Sequence, residues 1–138
     1  ENLTNLVSEL NIKDKVTFGG WMSREGLFKQ ILSCNVFLFA SLRDGGGAVV
    51  VEAMAAGKPI VCFDLAGPGF HVDEKCGIKI RPENPDQAIG DMANALEKLY
   101  FDRNLLDKLG KGAKEKAEKN YNWNVLGNKL NEIYKKVL

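Results

Sequence analysis

NVFLFASLRDGGGAVVVEAMAAGKPIV, residues 35–61, holds a strand, a loop, a helix and the start of a second strand in one short run. Val36 to Ala40 is continuously apolar, and a glycine run follows it. Ala48 to Ala56 has the composition of a short helix that Gly57 ends, and Pro59 stands where a strand can begin without an N–H. Apolar strands separated by helices are typical of a parallel sheet covered on both faces. The sequence therefore predicts an α/β fold.

The spacing of apolar residues extends this pattern in both directions from the central run. Before it we expect a helix over residues 3–10, a short strand at Val16 to Phe18 that Gly19 and Gly20 close, and a helix over residues 27–32. After it the pattern predicts strands at Ile60 to Phe63 and Ile78 to Ile80, then a helical C-terminal third whose last two helices are capped by Asp102 and Asn122.

Glu52 is the only charge between Gly45 and Gly57, in a helix of otherwise small and apolar residues. An ionised carboxylate enclosed by such residues is costly unless it finds hydrogen-bond partners. Because helical side chains tilt toward the N-terminus, we expect Glu52 to lean toward Asp44 and the amides of the glycine turn, so that both carboxylates face one small cavity. The alternative is an ordinary surface glutamate beside a plain loop.

Amides and carboxylates together suit one kind of ligand. Amides donate to phosphate oxygens, and a carboxylate accepts from two neighbouring hydroxyls. A nucleotide sugar carries both groups. Three predicted strand ends lead into loops of this chemistry, at residues 19–22, 41–47 and 64–69, and the carboxyl ends of parallel strands lie at one edge of a sheet where ligands bind.

Composition excludes several other functions. The 138 residues suit a single domain, residues 1–138, and a formal net charge of +1 argues against nucleic acid as a partner. No apolar run is long enough to span a bilayer and no signal peptide opens the chain, so we expect a cytoplasmic protein. The lysines of residues 108–119 indicate a solvated helix face, with a peripheral contact to the inner face of an anionic membrane as the alternative.

Neither a disulfide nor a metal site is expected. Cys34, Cys62 and Cys76 are odd in number and widely spaced, and two of them fall in or beside predicted core segments. No pair has metal-ligand spacing, and the single histidine, His71, has no companion to complete a zinc site. We interpret His71 as a loop residue rather than as a catalyst.

The order of these motifs resembles a known family. VTFGGW, the central run, DLAGPG, GIKI and a terminal helix containing NW are similar to the C-terminal, donor-binding half of group 1 glycosyltransferases, the retaining family 4 enzymes of GT-B fold. The resemblance implies a Rossmann-like sheet and transfer of sugar from a nucleotide diphosphate sugar. It implies no cofactor or metal, and no catalytic residue in this part of the chain.

The same resemblance assigns roles to individual residues. Glu52 would bind the ribose hydroxyls and Asp44 a hydroxyl of the donor sugar. Backbone amides at Gly46, Gly47 and Ala48 would meet the sugar and diphosphate, and the turn formed by Gly20, Trp21 and Met22 would border the base. Trp21 either stacks on that base or packs at the end of a strand.

Two departures from the family pattern accompany this resemblance. The family usually has glutamate where Asp44 stands, and often a glutamate at the position of Phe70. The family's domain also usually begins with further strands, so we expect this chain to be a fragment that lacks them and the N-terminal acceptor half. An open apolar edge at Val16 to Phe18 would then favour association.

The partner and activity predictions follow from that fragment interpretation. The expected partners are the nucleotide-sugar donor, the missing N-terminal domain and an acceptor that is a glycan, a lipid-linked sugar or a small molecule. Two alternatives stay open at this stage: a nucleotide-binding or regulatory module without transferase activity, and a sugar-nucleotide epimerase of the same fold.

Overall fold

The computed structural model describes residues 3–137 as an α/β domain with a three-stranded parallel sheet in the order β1-β2-β3. Its strands are β1 (Phe37–Phe39), β2 (Ile60–Phe63) and β3 (Gly77–Ile80). Its helices are α1 (Leu3–Glu9), α2 (Arg24–Ser33), α3 (Ala48–Ala55), α4 (Ala66–His71), α5 (Pro85–Phe101), α6 (Arg103–Tyr121) and α7 (Trp123–Val137). The predicted α/β class and the helical C-terminal third are confirmed.

Strand β2 lies at the centre of the sheet, and all four of its residues are buried. Ile60 and Cys62 pack in a cluster with α3 and the second half of α6, whereas Val61 and Phe63 pack in another with α5. Alternate residues of a strand point to opposite faces of a sheet. Helices therefore cover both faces, as the uninterrupted apolar run predicted.

Polar side chains cap four of the described helices. Ser23, Asn84, Asp102 and Asn122 each accept a hydrogen bond from a backbone amide in the first turn of α2, α5, α6 and α7, respectively, which confirms the predicted caps at Asp102 and Asn122. Each cap satisfies one of the amides that a helix N-terminus leaves without a partner. The predicted end of α3 is also confirmed, because the helix ends at Ala55 and Gly57, two residues later, has a φ of 72°.

Two predicted elements are wrong. Val16 to Phe18 forms no strand, although its composition is β-rich. A strand is defined by ladder partners, and the sheet of residues 3–137 contains only β1, β2 and β3. The predicted loop at residues 64–69 is largely helical instead, because α4 begins at Ala66.

The apolar surroundings are less complete than the sequence predicted. In β1, which lies at one side of the described sheet, Leu38 is 44% exposed. In α3, Val50, Ala53 and Met54 are buried while Glu52 is only half-buried. Glu52 is therefore not enclosed on every side, and the cost of its charge is smaller than a fully buried carboxylate would carry.

The predicted burial of the cysteines and the predicted exposure of the lysine-rich helix face are mostly confirmed. Cys62 and Cys76 are free and buried, Cys34 is free and half-buried, and burial raises the pKa of Cys62 to about 11. Most lysines of α6 are exposed. Lys116 is the exception, since its Nζ donates to Asp73 Oδ2 at 2.6 Å and so ties the turn before β3 to α6.

The Asp73 carboxylate has more than one donor. Lys116 binds one of its oxygens, and the backbone amide of Lys75 donates to the other at 3.0 Å. Partial burial acts to raise the pKa of Asp73, but these hydrogen bonds outweigh it and the pKa lies below the usual aspartate value. The folded state therefore favours the ionised carboxylate.

We predict that Asp73→Asn lowers the free energy of unfolding near neutral pH by roughly 1 kcal/mol, the upper end for a partly exposed pair. Because the pKa of Asp73 is lower in the folded state than in the unfolded state, the ionised carboxylate stabilises the fold at any pH above the unfolded-state pKa. That stabilisation is lost as the pH falls below about 4. Urea unfolding of both proteins across this range measures the difference. A difference that does not shrink in acid would contradict the prediction.

Candidate functional site

The loop before α3 is held by its own aspartate. Asp44 Oδ1 accepts hydrogen bonds from the amides of Gly46 at 3.0 Å and Gly47 at 2.5 Å. Gly47 has a φ of 61°, a conformation that suits glycine, and its carbonyl accepts from Val50 in the first turn of α3. The amides that the sequence assigned to a ligand exist as a cluster, but two of them donate to Asp44 in this structure.

Helix α4 packs directly on this loop. The amide of Gly67 donates to the carbonyl of Asp44 at 3.3 Å. A Cβ on Gly67 would lie 2.7 Å from the carbonyl carbon of Gly46, closer than side chains approach backbone. The loop after β1 and the segment after β2 therefore meet backbone to backbone, which confirms the predicted convergence of these two strand ends.

His71, the last residue of α4, also contacts the glycine loop. Its Nε2 lies 2.8 Å from the carbonyl oxygen of Gly46, and its Nδ1 lies 2.8 Å from the hydroxyl of Tyr121 at the end of α6. The sequence predicted only a loop residue here. The structure places His71 in contact with the glycine loop, and no signal in the sequence indicated Tyr121 as its partner.

Glu52 has the partner that its chemistry required. Its Oε1 accepts a hydrogen bond from Arg24 Nη2 at 2.9 Å. The Glu52 side chain is 35% exposed and the Arg24 side chain is 88% exposed. Arg24 is the first residue of α2, two residues after Met22, so the contact joins the start of α2 to α3. Sequence reasoning missed Arg24, which lies 28 residues from Glu52 in the chain.

Asp44 and Glu52 therefore have different hydrogen-bond partners and do not share one. Asp44 is turned onto its own glycines, and Glu52 onto Arg24. The expectation that both carboxylates face one small cavity stays a prediction. The helix that begins at Ala48 still has N-terminal amides without intrahelical acceptors, so the positive end of its dipole faces the same region.

The turn predicted to border the base is exposed. Gly20 has a φ of 59°, and the Met22 side chain folds back on Gly19, where an added Cβ would lie 2.7 Å from the Met22 methyl carbon. Trp21 is fully exposed. Of the two roles left open for Trp21, packing at a strand end is not seen, and stacking on a base stays a prediction.

Comparison with known proteins gives the family. The family model described as glycosyl transferases group 1 matches residues 1–116. This chain belongs to the group 1 glycosyltransferases. The resemblance predicted from VTFGGW and EAMAAGKPIV is confirmed, and so is the GT-B fold.

Three similar proteins illustrate the relationship. D-inositol 3-phosphate glycosyltransferase of Streptomyces bingchenggensis is 28% identical over 135 residues, which cover 97% of this chain and 29% of the relative. Sucrose-phosphate synthase of Thermosynechococcus elongatus has a TM-score of 0.82 at 29% identity, with 98% of this chain and 33% of that chain covered. HepE of Anabaena, solved with UDP and glucose, has a TM-score of 0.80 at 20% identity, with 97% and 35% covered. The last likeness shows the fold alone. This chain spans about a third of the length of each of these proteins.

The described part of this glycosyltransferase chain contains neither a candidate metal-ligand cluster nor a candidate membrane span. Among residues 3–137, no group of three His, Cys, Asp or Glu side chains is arranged to hold a metal ion. None of the helices in that range is both long and apolar enough to cross a membrane.

We predict that Gly67→Ala lowers the free energy of unfolding by about 1–3 kcal/mol, because its Cβ would force the glycine loop away from α4. Gly90→Ala in α5 is the matched control. An added Cβ there meets open space, so this helix-interior change should stabilise the domain by up to about 1 kcal/mol. Thermal or urea unfolding measures both, and equal effects would contradict the proposed backbone contact.

Proposed function

We propose that this chain is the donor-binding part of a retaining glycosyltransferase, which transfers sugar from a nucleotide diphosphate sugar to an acceptor. The observation that carries the proposal is that α2, the glycine loop and α4 all meet near α3. Arg24, the first residue of α2, binds Glu52 in α3, and α4 packs on the glycine loop that precedes α3. Family membership adds the reaction class.

Glu52 supplies the ribose contact in this proposal. Arg24 occupies only Oε1, and a carboxylate oxygen has two lone pairs. The second oxygen, together with the remaining lone pair of the first, accepts the two vicinal hydroxyls of a ribose. The exposed turn of Gly20, Trp21 and Met22, next to Arg24 in the chain, then borders the base.

Asp44 and the glycine amides act by exchange. Asp44 satisfies the amides of Gly46 and Gly47 in this structure. An anionic oxygen of the donor replaces that carboxylate on the amides, with Ala48 adding the first amide of α3. Asp44 is then released to accept a hydroxyl of the donor sugar. The amides have an acceptor both before and after the exchange. The exchange therefore costs less free energy than a change that leaves the amides without a partner.

The remaining parts of the proposal concern the whole enzyme. The N-terminus of α3 and basic groups stabilise the leaving diphosphate electrostatically, which needs no cofactor or metal. An N-terminal half supplies the acceptor site, and the acceptor is a glycan, a lipid-linked sugar or a small molecule in polysaccharide biosynthesis. We place the reaction in the cytoplasm, with a peripheral contact to the inner face of the membrane as a further proposal.

The direct test is calorimetric titration of the intact protein with UDP, GDP and their sugars. We predict that Glu52→Ala weakens binding of the nucleotide that the wild type binds by more than about 1 kcal/mol, roughly fivefold, because ribose hydroxyls lose a charged acceptor. The control is Glu97→Ala on the exposed side of α5, which removes the same charge away from the site. Equal affinities of wild type and Glu52→Ala would refute the role of Glu52.

We predict a smaller loss for Arg24→Ala, about 0.2–1 kcal/mol, since the ion pair with Glu52 is largely exposed. The loss should vanish in the Glu52→Ala background, because Arg24 then has no carboxylate to orient. A double-mutant cycle on nucleotide affinity measures this coupling. An undiminished Arg24 effect without Glu52 would instead indicate that Arg24 contacts the nucleotide directly.

A further inference from the structure

The peptide unit between Gly46 and Gly47 is held from both sides. His71 Nε2 lies 2.8 Å from its carbonyl oxygen, and Asp44 Oδ1 accepts from its N–H at 2.5 Å. In a trans peptide the C=O and N–H point in opposite directions. Fixing the carbonyl toward His71 therefore turns the Gly47 amide toward Asp44, on the side where the proposed function puts the donor.

This peptide needs an external restraint. Residues without a Cβ flank it on both sides, so rotation of the plane meets little steric resistance from its own side chains. A rotated plane would present the Gly46 carbonyl oxygen to the anionic donor in place of the Gly47 amide. That orientation is repulsive for a phosphate oxygen, so the loop binds an anion well only when the plane is fixed.

The hydrogen bonds define the tautomer of His71. A carbonyl oxygen only accepts, so Nε2 carries a hydrogen. Neutral imidazole has one N–H, and Nδ1 is then an acceptor for the Tyr121 hydroxyl 2.8 Å away. Burial raises the pKa of Tyr121, which keeps its hydroxyl protonated and able to donate. The Gly46 carbonyl thereby selects the Nε2–H tautomer, and the Tyr121 hydroxyl supports it by donating to Nδ1.

Packing holds the imidazole in place. The His71 ring meets Tyr121 edge to face, with 5.1 Å between the ring centroids and 86° between the planes. Its Cδ2 would lie 3.1 Å from a Cβ on Gly47. The ring therefore covers Gly47 closely, and a side chain at that position would push it away, whereas a Cβ on Gly46 would meet open space.

We propose that His71, in the Nε2–H tautomer that the Gly46 carbonyl requires and the Tyr121 hydroxyl supports, is a positioning residue that orients the Gly46–Gly47 peptide for the diphosphate of the donor. The inference rests on the proposed function for the identity of the ligand. It adds a chain of contacts that runs from Tyr121 at the end of α6, through His71 in α4, to the amide of Gly47. We call this chain of contacts the relay. His71 itself contacts no donor atom in this arrangement.

The first test compares two substitutions at His71 in the intact protein. His71→Gln keeps an N–H that reaches the Gly46 carbonyl, whereas His71→Leu keeps a similar volume without a donor. We expect His71→Leu to weaken binding of the diphosphate that the wild type binds, UDP or GDP, about tenfold, as for one displaced charge-assisted hydrogen bond. His71→Gln should stay within about threefold of wild type, and binding of the parent nucleoside, uridine or guanosine, should not change.

The second test reads the relay without any nucleotide. Histidine-selective ¹⁵N NMR of the intact protein, with the His71 signals identified by their loss in His71→Gln, reports which ring nitrogen is protonated. We expect the Nε2–H tautomer in the wild type and a growing Nδ1–H population in Tyr121→Phe. Tyr121→Phe should also weaken diphosphate binding a few-fold, which keeps the proposal testable should His71→Leu not fold.

The outcomes separate this inference from the function it rests on. An Nδ1–H tautomer in the wild type, or full diphosphate affinity in a folded His71→Leu, would overturn the positioning role while nucleotide binding stands. Failure of the wild type to bind either nucleotide would overturn the proposed function and the role in donor binding with it. The NMR result would then still report whether the loop is held as described.

Discussion

Burial of β2 on both faces is the constraint on which the other elements depend. Its four residues divide between two core clusters, one with α3 and α6 and the other with α5. Each parallel neighbour pairs with it in register, from Ile60 opposite Gly77 to Phe63 opposite Ile80 on the β3 side. Because its carboxyl end leads into α4, the position of β2 also decides where α4 meets the loop after β1.

That meeting is made by backbone rather than by side chains. A Cβ on Gly67 would lie 2.7 Å from Gly46, and one on Gly47 would lie 3.1 Å from the nitrogen of Pro68, so neither position has room for a side chain. A Cβ on Gly46 would instead meet open space. Close packing therefore accounts for Gly47 and Gly67, and the proposed function gives the amides of the same loop a second use, because amides bind anions.

The sequence predicted the order of elements well because local signals carry it. Gly57 after α3, Asp102 before α6 and the unbroken run of β2 each act within a few residues. Val16 to Phe18 failed for the opposite reason, since strand formation depends on partners that composition does not reveal. Arg24 and Tyr121 were missed because their partners lie 28 and 50 residues away. Periodicity reports burial, but it does not report which polar groups meet across the fold.

Asp44 shows how one methylene alters a site whose fold is unchanged. The short aspartate side chain reaches amides two and three residues further along its own backbone, the geometry that makes aspartate a turn residue. The glutamate that the family resemblance implies is longer and fits this local geometry less well. With aspartate, the amides of Gly46 and Gly47 already bind a carboxylate, and under the proposed function a donor phosphate competes with that carboxylate for them. Such competition lowers apparent affinity for every anion, yet it penalises most those that offer Asp44 no hydroxyl to accept after its release. Within the proposed function, the hydrogen bonds from Asp44 to its own loop therefore favour a ligand that combines phosphate with sugar over phosphate alone.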